Sequence, residues 1–236
     1  MTVIDGNHSS RRINLVAAAM KAEKYLEVGV ADGETFFSVS IPSKTGVDPK
    51  FRFDAKSRES EGEHFCEMSS DDYFTGVARG TKFDIVFLDG LHVFPQTFRD
   101  FCNAIMFTGD NSLIIIDDTI PSDVYSSIPE VNLALATRTR EGGTGAAWHG
   151  DIYKMIYAVH DFFPSLSYLT VSSRGNPQTF IWRETRRYFS PRFNSLEQIS
   201  RMTWFDFQEN MDLANLSPEE YAIPTVISKL LSSDFG

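Results

Sequence analysis

Apolar residues in the first half of this chain form short continuous runs that are separated by segments with helical spacing. Five such runs predict strands: Tyr25–Val30, Thr45–Val47 leading into Asp48 and Pro49, His64–Met68, Phe83–Leu88 and Leu113–Ile116. Strands that are apolar on both faces are typical of a parallel sheet covered by helices on both sides. The pattern therefore predicts an α/β protein with a Rossmann-like, mostly parallel sheet.

Helical spacing, in which apolar residues recur every three or four positions, fills the segments between the strands. A first helix with the apolar face Ile13–Met20 is predicted to begin at a cap formed by Ser9 and Ser10. A second covers Phe94–Ile105, and a third is predicted to begin at a cap formed by Asp151. These helices supply the layers that cover the sheet.

The second half of the chain predicts a hairpin, an insertion and an extension. Leu166–Val171 and Thr179–Trp182 flank a Gly-Asn-Pro turn, so we expect an antiparallel pair that completes a seven-stranded sheet. Residues 119–150 contain prolines and a glycine-rich stretch and are interpreted as an inserted lid. Residues 1–182, including this lid, would form the α/β domain. Residues 183–236, with a capping box predicted at Ser217–Glu220, would form a C-terminal extension outside the sheet.

Composition narrows the classes of partner. The 236 residues fit a single domain, and a formal net charge of −10 disfavours binding to nucleic acid or to an anionic membrane. No apolar run approaches the roughly 20 residues needed to cross a bilayer, so we expect a cytoplasmic protein with a small-molecule substrate. Cys66 and Cys102 lack ligand-type neighbours and are predicted to be free thiols.

The most informative motif is Glu27-x-Gly29-x-x-x-Gly33, which lies where the first strand ends. Open α/β sheets bind ligands at this edge, and an acid after the second strand, here Asp48, can accept both hydroxyls of a ribose. A dinucleotide-binding fold expects GxGxxG, because a helix N-terminus must meet a pyrophosphate. Asp32 lies in that stretch and would repel a pyrophosphate, whereas a sulfonium ligand tolerates a nearby acid.

Four segments together resemble the successive motifs of class I S-adenosylmethionine-dependent methyltransferases: Tyr25–Gly33, Gly46–Pro49, Phe83–His92 and Leu113–Asp118. Within that superfamily the sequence is most similar to methyltransferase family 24, which includes sugar and natural-product O-methyltransferases. The resemblance covers about residues 10–182. It does not extend to the lid or to the C-terminal extension, so it leaves the acceptor undefined.

The resemblance implies a set of cofactor contacts. The methionine end of the cofactor would lie against Glu27, Gly29 and Gly33, Asp48 would hold the ribose, and Met68 and Ser69 would flank the adenine. Three further residues are predicted to contact the cofactor, namely Val30, Thr35 and Asp89.

The resemblance also implies a metal site, since metal-dependent relatives hold a divalent cation at positions that correspond to Asp89, Asp117 and Asp118. Three carboxylates at adjacent strand ends repel one another unless they are protonated, solvated or neutralised, and Mg²⁺ with oxygen ligands would neutralise them. His92, three residues after Asp89, is the candidate general base. The alternatives are that no metal binds and that His92 is structural. His149 is interpreted as the entry to a helix.

The sequence thus predicts O-methylation of a small molecule, with help from a divalent metal or a general base. Two alternatives remain open: an NAD(P)-dependent oxidoreductase of the Rossmann type, and a non-catalytic cofactor-binding scaffold. The apolar segment Trp204–Leu231 is expected to pack on its own domain or on a second subunit, and we expect a homodimer.

Overall fold

The computed structural model describes residues 7–78 and 80–232, and it contains one eight-stranded sheet in the order β3-β2-β1-β4-β5-β7-β6-β8. The strands are β1 Lys24–Val28, β2 Ser43–Asp48, β3 Glu63–Glu67, β4 Phe83–Leu88, β5 Thr108–Ile116, β6 Leu166–Val171, β7 Gln178–Arg183 and β8 Leu216–Ser217. Strands β1 to β5 are mutually parallel, whereas β7 runs antiparallel to both β5 and β6. The predicted Rossmann-like α/β fold and its antiparallel hairpin are confirmed.

Ten α-helices lie within the described residues. They are α1 His8–Met20, α2 Glu34–Ser38, α3 Ala55–Arg58, α4 Ser70–Asp72, α5 Phe94–Met106, α6 Val131–Arg140, α7 Lys154–Phe162, α8 Leu196–Arg201, α9 Trp204–Glu209 and α10 Glu219–Ser232. A π-helical turn, Tyr73–Val77, follows α4, and a 3-10 turn, Met211–Ala214, follows α9. Within these ranges no helix is long and apolar enough to cross a membrane.

Two apolar cores cover the two faces of the sheet, which explains why the central strands are continuously apolar. Val86 and Leu88 of β4 belong to the core that includes α5, α7 and parts of α8 and α9. Ile85 and Phe87, which point to the other face, belong to the core that includes α1, α2 and α10. Because each buried side chain of this size contributes about 1.5–3 kcal/mol, this central strand holds both layers in place.

The eighth strand corrects the prediction that the C-terminal extension lies outside the sheet. Leu216 and Ser217 pair in parallel with Thr170 and Val171 at the outer edge of β6. The unpaired N–H and C=O groups of an edge strand favour such an addition. Two residues are too few to show strand periodicity in a sequence, so the pattern does not reveal this strand.

Three helix caps predicted from the sequence are not found at the predicted positions: those at Ser9 and Ser10, at Ser217–Glu220 and at Asp151. The cap of α1 is Asn7, whose side chain accepts a hydrogen bond from Ser10 N at 2.8 Å, and not Ser9 or Ser10. The capping box occurs at Thr203 and Asp206. At the predicted position, Ser217–Glu220, Ser217 is instead in β8 and the helix begins at Glu219. Asn and Ser are equally good caps, so local sequence does not distinguish such neighbouring sites.

Asp151 also differs, because it caps a helix other than the one that follows it. Its carboxylate accepts hydrogen bonds from Phe94 N at 2.7 Å and from Lys154 Nζ at 2.8 Å. Phe94 is the first residue of α5, and the N-cap of that helix, Val93, makes no side-chain bond. Asp151 therefore satisfies a free N–H group of α5 and ties the end of the inserted segment to the loop after β4.

Candidate active site

The candidate active site is a cavity of about 540 Å³ at the carboxyl ends of β1, β4 and β5, the edge at which open α/β sheets bind ligands. It contains most of the residues predicted from the sequence: Glu27, Gly29, Val30, Thr35, Asp89, His92, Asp117 and Asp118. A second cavity of about 370 Å³ shares Gly29, Ala31, Asp89 and Gly90 with the first and continues towards β2 and β3. The two cavities together form one elongated cleft.

Gly29 lets the loops after β1 and β4 touch. It has φ +89°, and a Cβ atom at this position would lie 2.0 Å from the carbonyl oxygen of Asp89. No side chain is compatible with that approach, so glycine is required for steric and conformational reasons. Asp89 lines both cavities next to this contact.

Glu27 is a buried carboxylate that faces the first cavity. Tyr25 donates a hydrogen bond from its hydroxyl to Glu27 Oε2 at 2.6 Å, and the residue is only 2% exposed. Burial raises the pKa of Glu27 well above its ordinary value, despite the hydrogen bond from Tyr25. A positively charged ligand group in the cavity would favour the ionised form, so Glu27 suits a cation.

Asp48 lines the second cavity and also organises the loop after β1. Its Oδ2 accepts hydrogen bonds from Val30 N at 3.0 Å and from Ala31 N at 2.9 Å, and Oδ1 accepts one from Lys50 N at 2.8 Å. A carboxylate has about four lone-pair sites, so capacity remains for ribose hydroxyls. Asp48 thus connects the two halves of the cleft.

Of the other residues predicted to contact the cofactor, some line one of the two cavities and some line neither. Ser69 lines the second cavity and caps α4, whereas Met68 does not line it and packs, partly buried, against an apolar core. Gly33 precedes α2 as its N-cap at φ +83°. Thr35 lines the first cavity and accepts a hydrogen bond from Asn7 Nδ2 at 2.7 Å.

Asp89, His92 and Asp118 all line the first cavity, and their side chains lie close together. Nε2 of His92 lies 3.4 Å from Asp89 Oδ1, and Nδ1 of His92 lies 3.6 Å from Asp118 Oδ2. One ligand atom from each of the three residues falls within 4.8 Å of the other two, a spacing compatible with a shared metal ion. Asp118 is held in the left-handed region at φ 55°, a strained conformation that often marks functional positions.

Asp117 lines the same cavity but is directed differently. Its Oδ1 accepts a hydrogen bond from the backbone N–H of Asp118 at 2.9 Å, and Asp117 is not part of the convergent trio. Burial, with the charge of Asp89, raises the pKa of Asp117 to about 7. Burial, together with the charge of Asp117, raises the pKa of Asp118 to about 7. Burial is also the main cause that raises the pKa of Asp89, and the charge of Asp118 raises it further.

His149 and Trp148 belong to this site, although the sequence favours a helix entry for His149. His149 is 8% exposed, and its Nε2 lies 3.8 Å from Asp118 Oδ1. Trp148 stacks on the ring of His92, and Gly150 passes so close that a Cβ atom there would lie 1.7 Å from the carbonyl oxygen of His92. In the sequence, the only feature that could indicate this role is the run Trp148-His149-Gly150 directly after the glycine-rich segment.

The first cavity is also lined by residues to which the sequence assigns no contact with a ligand: Asn7, His8, Ser9, Glu34, Arg52 and Asn176. Asp32, whose charge argues against a pyrophosphate, lines it as well. Arg52 is the one lysine or arginine among the described residues that line this cavity, against six acidic residues. The cavity is therefore strongly acidic, which favours cationic or neutral ligands over polyanions.

Comparison with known proteins supports the fold. No protein-family model matches the sequence, and no curated protein sequence matches it. A protein from Klebsiella pneumoniae that is assigned as an O-methyltransferase shares 15% identity and a TM-score of 0.53, covering 78% of this chain and 84% of that one. The O-methyltransferase TomG from Streptomyces achromogenes, in complex with SAM, shares 15% identity and a TM-score of 0.52 over 75% and 79% of the chains.

A third similar structure is the SAH-bound methyltransferase PaMTH1 from Podospora anserina. It shares 12% identity and a TM-score of 0.51, covering 72% of this chain and 76% of that one. At these identities the likeness concerns the fold. This chain has the Rossmann-like fold found in these three structures.

Proposed function

We propose that this protein is an S-adenosylmethionine-dependent methyltransferase that methylates a hydroxyl of a small molecule. The observation that carries the proposal is the acidic two-part cleft at the strand ends, with buried Glu27 in one part and Asp48 in the other. A sulfonium cofactor brings positive charge and no phosphate, as this cleft requires. That similar folds hold SAM or SAH in TomG and PaMTH1 agrees with this choice.

The proposed cofactor contacts follow the two cavities. The ammonium and sulfonium end would lie near Glu27 and Gly29, and the ribose would bind Asp48. The adenine would occupy the part lined by Val47, Ser69 and Leu91. Val30, Gly33, Thr35, Met68 and Asp89 complete the proposed set, of which Gly33 and Met68 line neither cavity.

The proposed chemistry is a direct, in-line transfer in which the enzyme mainly positions the two reactants. The bond between sulfur and the methyl carbon breaks, its electron pair stays on sulfur to give S-adenosylhomocysteine, and the acceptor oxygen forms the new bond to carbon. His92 is placed to take the hydroxyl proton, and Asp89 beside Nε2 orients its ring.

The residues at the strand ends also suit a divalent cation, as the unpartnered buried atoms His92 Nδ1 and Asp118 Oδ1 indicate. Asp89, Asp117 and Asp118 are the residues proposed to hold Mg²⁺. Such an ion would lower the pKa of an acceptor hydroxyl. The remaining contribution of the chain would be to position the acceptor and exclude water.

We also propose a family, domain limits, a cellular compartment and an oligomeric state for this protein. We place the chain near methyltransferase family 24 and assign the catalytic domain to residues 1–182, with residues 183–236 as an extension. We further propose that it works in the cytoplasm as a homodimer. Phe205 and Tyr221, 65% and 68% exposed, would lie in the dimer contact. Light scattering tests the dimer, and the double variant Phe205→Asp, Tyr221→Asp should shift it to a monomer.

The experiment that tests the function combines binding with turnover. Calorimetry should show that S-adenosylhomocysteine binds and that NAD does not, because the acidic cleft disfavours a pyrophosphate. Acceptors with free hydroxyls are then screened for release of S-adenosylhomocysteine. Binding of NAD in preference to S-adenosylhomocysteine would overturn the proposal in favour of an oxidoreductase, whereas binding without turnover of any acceptor would favour a scaffold.

A further inference from the structure

Gln178 is a buried polar residue beside the candidate active site. It is the first residue of β7 and is 1% exposed. In the antiparallel pairing of β5 with β7, Ile116 lies opposite Thr179, so the next position of that register places Gln178 opposite Asp117. The Cβ atoms of directly opposite residues lie about 4.5–5.5 Å apart. The sheet therefore brings Gln178 against a carboxylate that lines the first cavity.

The amide of Gln178 has a defined orientation, because one of its neighbours can only donate. Arg12 Nη1 donates to Gln178 Oε1 at 2.9 Å, and a guanidinium has no acceptor, so the amide oxygen must face it. The amide nitrogen faces away from Arg12 and donates to Ser9 Oγ at 2.7 Å. Burial raises the pKa of Asp117 to about 7, and a hydrogen bond with the Gln178 side chain opposes that rise. The two protons of an amide nitrogen are enough for both contacts.

Ser9 and Asp117, the two residues that this amide contacts, both line the first cavity. The Ser9 hydroxyl accepts from Gln178, so its own proton can be donated to a ligand in the cavity. Asp117 accepts a hydrogen bond from the backbone N–H of Asp118 at 2.9 Å, and Asp118 has the left-handed φ of 55°. Asp118 in turn lies 3.6 Å from His92, the proposed base. A displaced Gln178 amide would therefore disturb groups at the reaction centre.

Arg12 connects the Gln178 amide to the C-terminal helix α10. Its buried guanidinium donates from Nε to Oε2 of Glu219 at 2.8 Å, and Glu219 is the first residue of α10. Nη1 and Nη2 donate to the carbonyl oxygens of Asn176 and Ser173, each at 2.6 Å. Because a guanidinium is planar and rigid, these contacts determine where the N–H group that binds Gln178 points. The orientation of the amide thus depends on α10.

We infer that Gln178 is a positioning residue of the active site, whose amide holds Ser9 and Asp117 in place and is itself held in orientation by Arg12 and Glu219. These five residues are called the Gln178 network. The inference rests on the proposed function for the reaction that Ser9 and Asp117 serve. It goes beyond that function because it gives the first residue of the C-terminal helix a part in turnover, in addition to its part in stability.

The first test separates positioning from stability in the full chain. Gln178→Glu keeps the length of the side chain and an oxygen that Arg12 can bind, but it removes the amide protons and places negative charge against Asp117. We expect the bond to Arg12 to keep the melting temperature near that of the parent protein. Turnover is measured with an acceptor found in the screen for release of S-adenosylhomocysteine. The kcat value should fall by about 10–100-fold, since small displacements at a reaction centre are costly.

The affinity for S-adenosylhomocysteine is measured on the same protein by calorimetry. It should change by less than about threefold, because Gln178 lines neither cavity. A loss in kcat with unchanged cofactor binding and unchanged stability is what a positioning role predicts. A purely structural role predicts that Gln178→Glu stays active, since its carboxylate satisfies Arg12 at least as well as the amide does.

The second test needs no acceptor and reports on the amide itself by NMR. Protein labelled with ¹⁵N in its glutamine side chains gives one amide signal for each of the four glutamines: Gln96, Gln178, Gln198 and Gln208. The signal that is lost in Gln178→Met belongs to Gln178. Its protons should exchange slowly with solvent, because the amide is buried and hydrogen-bonded.

Variants at both ends of the Gln178 network should shift this signal. Asp117→Asn changes the group that the amide faces, and Glu219→Gln loosens the guanidinium that orients it. Lys229→Gln is the matched control on α10, because Lys229 ties the same helix to Glu184, outside the network. Lys229→Gln should leave both the Gln178 signal and kcat in place, whereas Glu219→Gln should shift the signal and lower kcat.

Several outcomes would overturn the inference. Full activity in Gln178→Glu, a Gln178 signal that Glu219→Gln leaves unmoved, or an equal loss of kcat in Lys229→Gln and Glu219→Gln would each show that these residues only stabilise the fold. Failure of the proposed function is seen separately, in a parent protein that neither binds S-adenosylhomocysteine nor turns over any acceptor. The NMR comparison then still decides whether α10 orients the amide.

Discussion

The indole of Trp148 lies nearly parallel to the imidazole of His92, with ring centroids 4.8 Å apart and an interplanar angle of 20°. The indole N–H donates to the carbonyl oxygen of Ile128 at 2.8 Å, so Trp148 is itself anchored within the inserted segment. The segment of residues 119–150 therefore reaches the candidate active site and packs against His92. Its observed contribution is to hold His92 in place, since none of its residues lines either cavity.

Trp148→Ala should lower kcat by about 10–100-fold, because loss of the stack frees the ring of His92 and small displacements at a reaction centre are costly. The affinity for S-adenosylhomocysteine should stay within a few-fold, since Trp148 does not line either cavity. Trp148→Phe retains a stacking ring and should recover most of the activity. Steady-state kinetics with calorimetry makes the comparison. Equal losses in Trp148→Ala and Trp148→Phe would argue against the stacking role.

Gly29→Ala should destabilise the protein and abolish cofactor binding, because the added Cβ would meet the carbonyl oxygen of Asp89 at 2.0 Å. The expected loss is on the order of 3 kcal/mol in the free energy of unfolding. Gly76→Ala is the matched control, since a Cβ there meets nothing within 4 Å. Urea denaturation of both variants measures the difference, and similar stabilities would contradict the close approach of the two loops.

Asp48→Ala should weaken S-adenosylhomocysteine by at least about tenfold, which corresponds to about 1.4 kcal/mol. Loss of the bonds to Val30 and Ala31 would contribute to that effect, so the ribose contact needs a separate measurement. Binding of adenosine is compared with that of 2′,3′-dideoxyadenosine in both proteins, as a double-mutant cycle. The preference for adenosine should disappear in Asp48→Ala. If Asp48→Ala keeps the same preference for adenosine, Asp48 only holds the loop after β1 and does not bind the ribose.

Glu219→Gln should destabilise the protein by about 3 kcal/mol at neutral pH, because it breaks a buried ion pair with Arg12. Burial alone would raise the pKa of Glu219, but hydrogen bonds from Arg11 and Arg12 outweigh it and hold the pKa below its ordinary 4.5. The ionised form is thus favoured by folding. Its contribution is present above pH 4.5 and is lost as the pH falls through the lower folded value.

Thermal unfolding of Glu219→Gln and of the parent protein at several pH values checks this sign. The gap in melting temperature should be widest near neutral pH and should narrow below pH 4.5. Glu220→Gln, one position further along α10 on its exposed side, should show no such gap. A gap that widens on acidification would mean that Glu219 is protonated in the folded protein.

The sequence was sufficient for those parts of the fold that depend on local pattern. The apolar runs of β4 and β6 match the observed strands residue for residue, and Asp89 and Asp118 meet because parallel strands end at one edge. By contrast, His149 reaches Asp118 through the path of a 32-residue insertion, counted from 119 to 150, that carries no periodic signal. Asp151 likewise caps α5, 57 positions earlier in the chain. Such pairings depend on tertiary packing.

The salt bridge between Arg12 and Glu219 bears on how the chain reaches its native state. The two residues are 207 positions apart, and Arg12 is fully buried beneath α10 and the β6–β7 turn. During synthesis α1 emerges long before its partner helix exists, so the Arg12 guanidinium lacks its buried carboxylate partner until α10 docks. Closing so long a loop is slow. Nascent chains that stop before Glu219 should thus remain sensitive to protease and bind chaperones, and protection of α1 should appear only with the last helix.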